Sequence, residues 1–419
     1  MLQSLRAAFR IKDLRKRLFF TFWMLLVFRI GTHIPVPGID TEVIKNLFKE
    51  GTLFGLMDLF SGGALRAFSV LAMNIYPYIN SSIIVQLLTL VIPSWEKMSR
   101  EDDGKKRLQE YVRYGTIGLA LIQGVGMGLA IRAQGALIDP SAFQIGIVAL
   151  TLTAGTIFLM WLGELMTDKG IGNGISLIIF AGIVSRLPSS VVGIVEYTVA
   201  GRITIWNLLV LVVLGAALIV GIIWITEGER RVPVQYAKRV VGRKMYGGQS
   251  THIPLRINQA GVIPVIFASS MLAFPATIAS FIRADWARNL EKIFDFRSPW
   301  YSATYAGLII FFTYFYTAIT FNPAEVSDNM KKYGGFIPGY RPGKPTSDYL
   351  DRVLTRITLA GAIFLAGVAV APNYMMQATN VPGASFSGTA LIIVIGVALE
   401  TMKQIEAHLI MRNYRGFMK

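Results

Sequence analysis

Apolar residues recur along this chain in stretches too long for the helices of a soluble core. They lie near Leu18 to Ile34, Leu71 to Ile92, Tyr114 to Ile131, Ile145 to Met166, Ile171 to Ser185, Ile205 to Ile225, Ala260 to Ile282, Ala303 to Phe321, Ile357 to Ala371 and Gly388 to Met402. One bilayer crossing needs a run of about 20 such residues. The pattern therefore predicts an all-α membrane protein with ten transmembrane helices. The fifth, ninth and tenth runs are short for a crossing, so their ends are expected to reach into the flanking loops or to thin the bilayer locally.

Composition agrees with a chain that is membrane-embedded throughout. Of 419 residues 53% are hydrophobic and only 16% charged, where a soluble protein carries about a quarter charged residues. The net charge of +16 gains meaning from its placement. Of 41 Lys and Arg, 30 fall in one alternate set of connections, 10 in the other, and Arg29 lies inside a span. Positive charge is retained in the cytoplasm, so both termini are expected inside and the span count even. The basic start, Arg6 to Arg17, resembles a secretory signal, but no small-residue cleavage site follows, and the segment reads as a retained first span.

Five spans in each half, residues 1–200 and 201–419, make the second half enter the membrane from the opposite side to the first, the parity of an inverted repeat. No residue-level match links the halves.

Several chemistries are missing. The predicted spans hold only Arg29, Glu164 and Glu400 as charged groups, each near a span end, which reads as snorkelling and leaves no midplane ion relay. His33, His252 and His408 are scattered singly, cysteine is absent, and no phosphate-cradling Gly-x-x-x-x-Gly-Lys motif occurs, so no metal, cofactor or nucleotide is expected. Gly170 to Gly174 reads as a tight turn into the next span.

Between the first two spans, the stretch Gly55 to Arg66 is too apolar for an outer loop and too short and glycine-rich to cross. Irregular backbone at membrane depth requires protein or a water cavity around it, which predicts a re-entrant segment at a central cavity. From here the sequence "DLFSGGALRAFSVLAMNIYPYINSSIIVQLL" resembles the plug and second span of the SecY family of protein-conducting channels. The run from Asp168 to Val184, the run from Gln249 to Phe281 and "YTAITFNPAEVSDNMKKYGGFIPGYRPGKPT" from Tyr316 to Thr346 are similar to other parts of that family, in both halves.

The resemblance implies two pseudo-symmetric inverted five-helix halves around an hourglass pore, with a re-entrant plug helix at about residues 55–67. It implies a pore ring of Ile75, Ile79, Ile179, Ile266 and Ile393, since an aliphatic constriction excludes ions by dewetting. The plug would comprise Gly55, Leu56, Met57, Asp58, Leu59, Phe60, Ser61, Gly62, Gly63, Ala64, Leu65 and Arg66. A lateral gate between the second and seventh spans, flanked by the third and eighth, would carry Phe274 and the polar Asn80, Ser81, Gln86, Gln123, Ser269 and Ser270, and interhelical hydrogen bonds of such polar groups are worth roughly 0.6 kcal/mol each. Pro275 would shape the same seam. Two basic loops, at about 226–259 and 322–356, would dock the motor SecA or a translating ribosome through Arg243, Lys244 and Arg341.

The implied function is passage of unfolded polypeptides across, and insertion of membrane proteins into, the bacterial plasma membrane. Small SecE and SecG subunits would complete the complex, with membrane lipid around it and signal sequences opening the gate. The runner-up, an inverted-repeat secondary transporter, lacks midplane carboxylates; a lipid-scrambling factor would have no use for two large basic loops.

Overall fold

The computed structural model describes residues 9–47, 62–201, 204–236, 239–241, 244–246, 250–281, 298–379 and 388–416. Each of the ten apolar stretches coincides with a helix: α1 Lys12–Gly31, α3 Tyr76–Val91, α5 Asp102–Ala133, α6 Ala142–Lys169, α7 Gly174–Val199, α8 Ile205–Glu227, α9 Ile263–Phe281, α10 Pro299–Thr320, α12 Lys344–Thr379 and α13 Gly388–Gly416. Short helices α2 Thr41–Leu47, α4 Pro93–Arg100 and α11 Pro323–Lys332 lie in the connections. Seven of the described helices are long and apolar enough to span on those grounds alone, and an eighth span is the pair α3 and α4, bent by 107° at Ile92 and Pro93.

The three stretches expected to be short have 26, 36 and 29 residues as helices α7, α12 and α13. Helix α7 continues past Ser185, through Arg186 and Pro188, to Val199, as the expected extension into the flanking loop requires. Pro188 has no N–H for the Val184 carbonyl four residues back, yet the helix runs on through it; close by, Ser189 and Ser190 both donate to the Arg186 carbonyl, at 2.8 and 3.0 Å.

The helices close a ring. Helix α3 packs on α5, α6 and α9; α6 on α7; α7 on α13; and α13 on α9. The first five long helices therefore meet the last five along two seams, one at α3 and α5 against α9, the other at α7 against α13. A continuous apolar core crosses both seams, joining Leu159 and Ile178 to Val265, Phe312 and Ile392. Close approach depends on glycine. A Cβ on Gly155 of α6 would stand 1.9 Å from the Val70 carbonyl oxygen, and one on Gly388 would stand 2.0 Å from that of Val368.

The turn Gly170 to Asn173 is held at the second seam. The Ile171 amide donates to Thr21 Oγ1 of α1 at 3.1 Å, and the Gly172 amide to Gln404 Oε1 of α13 at 2.9 Å. Asn173 caps α7 by accepting from the Ile175 and Ser176 amides. The glycine-rich motif is thus a turn that ties α1 and α13 to the start of α7.

The loop after α8 contains strands that the all-helical reading did not foresee: β1 Glu229–Tyr236, β2 Arg239–Val241, β3 Lys244–Tyr246 and β4 Ser250–Arg256. Strand β1 pairs antiparallel with β4 along its length and, at Gln235 and Tyr236, with β5 Gly335–Phe336 from the next basic loop. The reason is alternation: Val232 and Val234 face inward and are buried while their neighbours are exposed. They pack with Leu255 on Met330 of α11 and on Leu350, Val353 and Leu354 of α12. The two basic loops are therefore one folded unit. Leu255 is fully buried, so Leu255→Ala should cost about 2–5 kcal/mol locally. Limited trypsin digestion should then cleave between β1 and β4 faster than in the parent while the membrane bundle stays intact.

Candidate functional site

All five isoleucines singled out from sequence line one small cavity, together with Asn74, Tyr76, Ser269 and Ser270, with a volume of about 20 Å³. Each is placed by the turn that starts its helix. Asn74, at φ +50°, ends the irregular segment before α3, so Ile75 and Ile79 stand at the head of that helix. The Asn173 cap sets Ile179 in the second turn of α7, Gly261 at φ +65° precedes α9 and Ile266, and the tight contact of Gly388 with α12 sets Ile393. The five are between 1% and 7% exposed, so the constriction is shut by their side chains.

What this arrangement can do follows from what it lacks. No lining residue is charged, and an aliphatic collar too narrow for a hydrated ion raises a dewetting barrier. Having no fixed hydrogen bonds to break, it can also part around an inserted chain. The Ser270 Oγ is buried without a hydrogen-bond partner, a cost of about 1–3 kcal/mol to the shut state that entering water would relieve.

The other site residues fall in three places. Asn80 and Ser81 are buried on α3, which contacts α9 and α5. The Ser81 hydroxyl donates to the Val112 carbonyl of α5 at 2.8 Å, Gln86 donates to Ser82 within α3, and Ser269 donates to Ile266 within α9. These bonds tie α3 to α5 or stay inside one helix; none of the three crosses from α3 to α9. Gln123 is half-buried on α5, and the Phe274 and Pro275 side chains lie outside the described residues. Of the expected plug, Gly55 to Ser61 also lie outside them, while Gly62, Gly63, Ala64, Leu65 and Arg66 form consecutive turns leading to α3.

Arg341 is exposed on a turn with Gly339 and Gly343 at φ +87° and +100°. Thr346 donates to the Arg341 carbonyl at 2.8 Å, Ser327 donates to that of Gly343 at 2.7 Å, and the Tyr340 ring lies against Tyr349, centroids 4.2 Å apart. The backbone that presents the guanidinium is thereby stiff. Lys244 begins β3 with its side chain undescribed, and Arg243 lies outside the described residues.

One polar cluster escaped the sequence reading. Glu164 of α6, expected to snorkel alone, takes a bidentate pair from Arg113 of α5 at 3.0 and 2.9 Å. Gln109 bridges it to the Tyr78 hydroxyl of α3, at 3.2 Å to each. The available signal was complementary charge at the same end of adjacent helices.

A ring of membrane helices around a shut aliphatic waist is the fold of a polytopic channel, and solved structures share it. The chain is similar to one described as "The structure of a protein conducting channel", with TM-score 0.67 and 17% identity over 94% of this chain and 92% of that one. It is also similar to Sec61 in a canine ribosome-channel complex, with TM-score 0.62 and 16% identity over 94% and 92%. At those identities the likeness is one of fold. The SecY family model matches residues 69–402. Curated relatives named protein translocase subunit SecY include one from Halalkalibacterium halodurans, 47% identical over the full length of both chains, and one from Corynebacterium glutamicum, 44% identical over 98% of this chain and 99% of that one. The chain belongs to the SecY family.

The Arg113–Glu164 pair has ideal fork geometry but is partly exposed, 47% and 22% at the side chains, so its worth should be near the upper end of exposed pairs, about 1 kcal/mol. A double-mutant cycle of Arg113→Ala and Glu164→Ala, followed by thermal unfolding in detergent, should return that coupling; additive losses would show the pair contributes nothing.

Proposed function

We propose that this chain is the channel-forming subunit of a protein translocase, conducting unfolded polypeptides through the isoleucine ring and releasing apolar segments sideways between α3 and α9. The observation that carries this is the convergence of Ile75, Ile79, Ile179, Ile266 and Ile393 on one shut waist. The lysine and arginine asymmetry supports a cytoplasmic side for both termini and the β-sheet unit, and the bacterial sources of the relatives support the plasma membrane of a bacterium as the location. The two five-helix groups, residues 1–200 and 201–419, act as the jaws, and α3 to α9 is the seam that parts.

The pore is passive and takes its driving force from a partner. The folded cytoplasmic unit, with Arg341 on a rigid turn, suits docking of SecA or of a ribosome, whose RNA backbone a fixed guanidinium can pair. A structural neighbour is described as an idle yeast Ssh1 complex bound to the 80S ribosome. The strongly exposed apolar faces of α1 and α8, with Phe22, Trp23, Val213 and Trp224, fit lipid and small helical subunits such as SecE and SecG. A secondary transporter is disfavoured because the Glu164 carboxylate is committed to Arg113 and no carboxylate lines the waist.

Two outcomes test the reading. Ile79→Ser with Ile266→Ser should raise resting ion conductance in planar bilayers, because hydroxyls wet the collar; unchanged conductance would remove the ring from its role. Arg341→Glu should reduce motor-driven or ribosome-coupled translocation at least severalfold without changing that resting conductance.

A further inference from the structure

We propose that Gln109 is a positioning residue for the isoleucine ring: by bridging Tyr78 to the Glu164–Arg113 pair it fixes how α3 is turned, and so where Ile79 points. The inference rests on the channel reading above and adds to it residues outside the ring and the seam.

The need arises at the head of α3, which carries two of the five ring residues, Ile75 and Ile79. Helix α7 begins on the Asn173 side chain, which accepts from two backbone amides. Helix α3 starts differently: the aliphatic Ile75 stands at the cap position and offers no such bond, directly after Asn74 at φ +50°. A helix start that its cap residue does not hold must be fixed by contacts further along. Successive residues on a helix point about 100° apart, so whatever holds Tyr78 sets the direction of Ile79.

Tyr78 is held from α5. Gln109 Nε2 donates to the Tyr78 hydroxyl and to Glu164 Oε1 of α6, at 3.2 Å each. A carboxamide nitrogen has two hydrogens, and both are used here. Glu164 is immobilised in turn, since Arg113 Nε and Nη2 donate to its two oxygens at 3.0 and 2.9 Å. The charges at that end of the relay strengthen the bonds along it.

The face of α5 that does this is continuous. Gln109, Val112 and Arg113 are three and four residues apart and form one stripe, and the Val112 carbonyl accepts from the Ser81 hydroxyl of α3 at 2.8 Å. Ser81 follows Tyr78 by three residues, so two bonds about one turn apart fix α3 against α5 in rotation as well as in distance. At the same level a Cβ on Gly115 would stand 2.3 Å from Ser81 Oγ, which leaves no room to slip. Behind them, α6 is the most buried of the seven helices long and apolar enough to span. A Cβ on Gly124 of α5 would stand 3.0 Å from its Ala149 carbonyl oxygen. The relay thus runs from a fixed helix, through α5, to the residue beside the ring. Holding α5 to α6 needs only Arg113 and Glu164; the Gln109 bridge brings Tyr78 under the same control.

The test uses the full chain with its co-purifying subunits in planar bilayers, reading resting ion conductance. Tyr78→Phe removes the acceptor but keeps the aromatic ring, and should raise conductance about threefold to tenfold, the population shift that loss of one neutral hydrogen bond supports. Gln109→Leu, which leaves the Arg113–Glu164 pair in place, should leak to the same extent. Glu164→Gln should leak by a smaller factor in the parent, because an amide oxygen still accepts from Gln109, and should add nothing to Tyr78→Phe, because Glu164 reaches the ring only through Gln109 and Tyr78. A general loss of stability would act in both backgrounds, so this non-additivity marks positioning. Gln109→Leu should likewise add nothing to Tyr78→Phe, which covers the case in which the Glu164 variant does not assemble. If Ile79→Ser with Ile266→Ser leaks but Tyr78→Phe and Gln109→Leu do not, the relay is wrong and the ring stands. Full additivity of Glu164→Gln or Gln109→Leu on Tyr78→Phe would place the effect elsewhere in the bundle and overturn the proposal. No leak from the isoleucine variants would remove the ring itself, and the proposal with it.

Discussion

A hole through a bilayer has to be shut by groups that gain nothing from being apart and lose little on parting. Hydrogen bonds between neutral groups in a membrane are worth roughly 0.6 kcal/mol each, but a buried polar group left without a partner costs more, so a polar seal would be either leaky or costly to break. Aliphatic side chains avoid both problems. Ile75, Ile79, Ile179, Ile266 and Ile393 are packed into the main apolar core and face one small cavity. Everything else in the molecule can be read as a way of bringing these five to one level from four different helices. Pleated strands could not do it, because their backbone polar groups would need a closed barrel within the lipid. Helices can, provided their starting points are fixed, and the turn residues Asn74, Asn173, Gly261 and Gly388 fix them.

Several charged side chains of the helices meet an opposite charge or a backbone carbonyl. Arg113 pairs with Glu164, Lys403 with Glu227 at 2.8 Å, and Arg29 spends itself on a carbonyl. The two seams differ in the same terms. At α7 and α13 the Gly172 amide is held by Gln404 and the turn is clamped by Thr21. At α3 and α9, Gln86 and Ser269 bond within their own helices and Ser81 bonds away from the seam. The proposed opening at one side would draw on this inequality: one seam stitched by directed bonds, the other, among the three gate bonds described, without one that crosses it.

The ten helices were legible because span length and apolarity are one-dimensional properties of the chain, and so was the turn at Gly170 to Gly174. The five ring isoleucines were not legible from the residues themselves. An isoleucine in a span is unremarkable, and only similarity to a family singled these out; their shared cavity is a fact of three dimensions. The strands at Glu229–Tyr236 and Ser250–Arg256 carried a readable signal, the alternation around Val232 and Val234, which the weight of basic charge obscured. That the short runs extend at their ends was legible, but not how far. Arg186 and Pro188 look like a stop, yet the helix runs through both to Val199. The Tyr78–Gln109–Glu164 contacts were illegible because 55 residues separate Gln109 from Glu164 and no periodicity links them.

The basic unit sits where force applied to it is felt by the weaker seam. Strand β4 ends at Arg256 and passes through a short, bonded turn into α9: the Ile257 amide donates to the Gly228 carbonyl at 2.9 Å, and Asn258 Nδ2 to that of Gly261 at 3.0 Å. A Cβ on Gly361 of α12 would stand 2.6 Å from the Ile257 carbonyl oxygen, so this turn is pressed against α12 without room to slip. The same unit is cemented to the start of α12 through Leu350, Val353 and Leu354. A partner that tilts the β-sheet would therefore move the base of α9, which carries Ile266 at the ring and faces α3 across the first seam. In the proposed function, docking and gating would be joined by this stretch of rigid backbone.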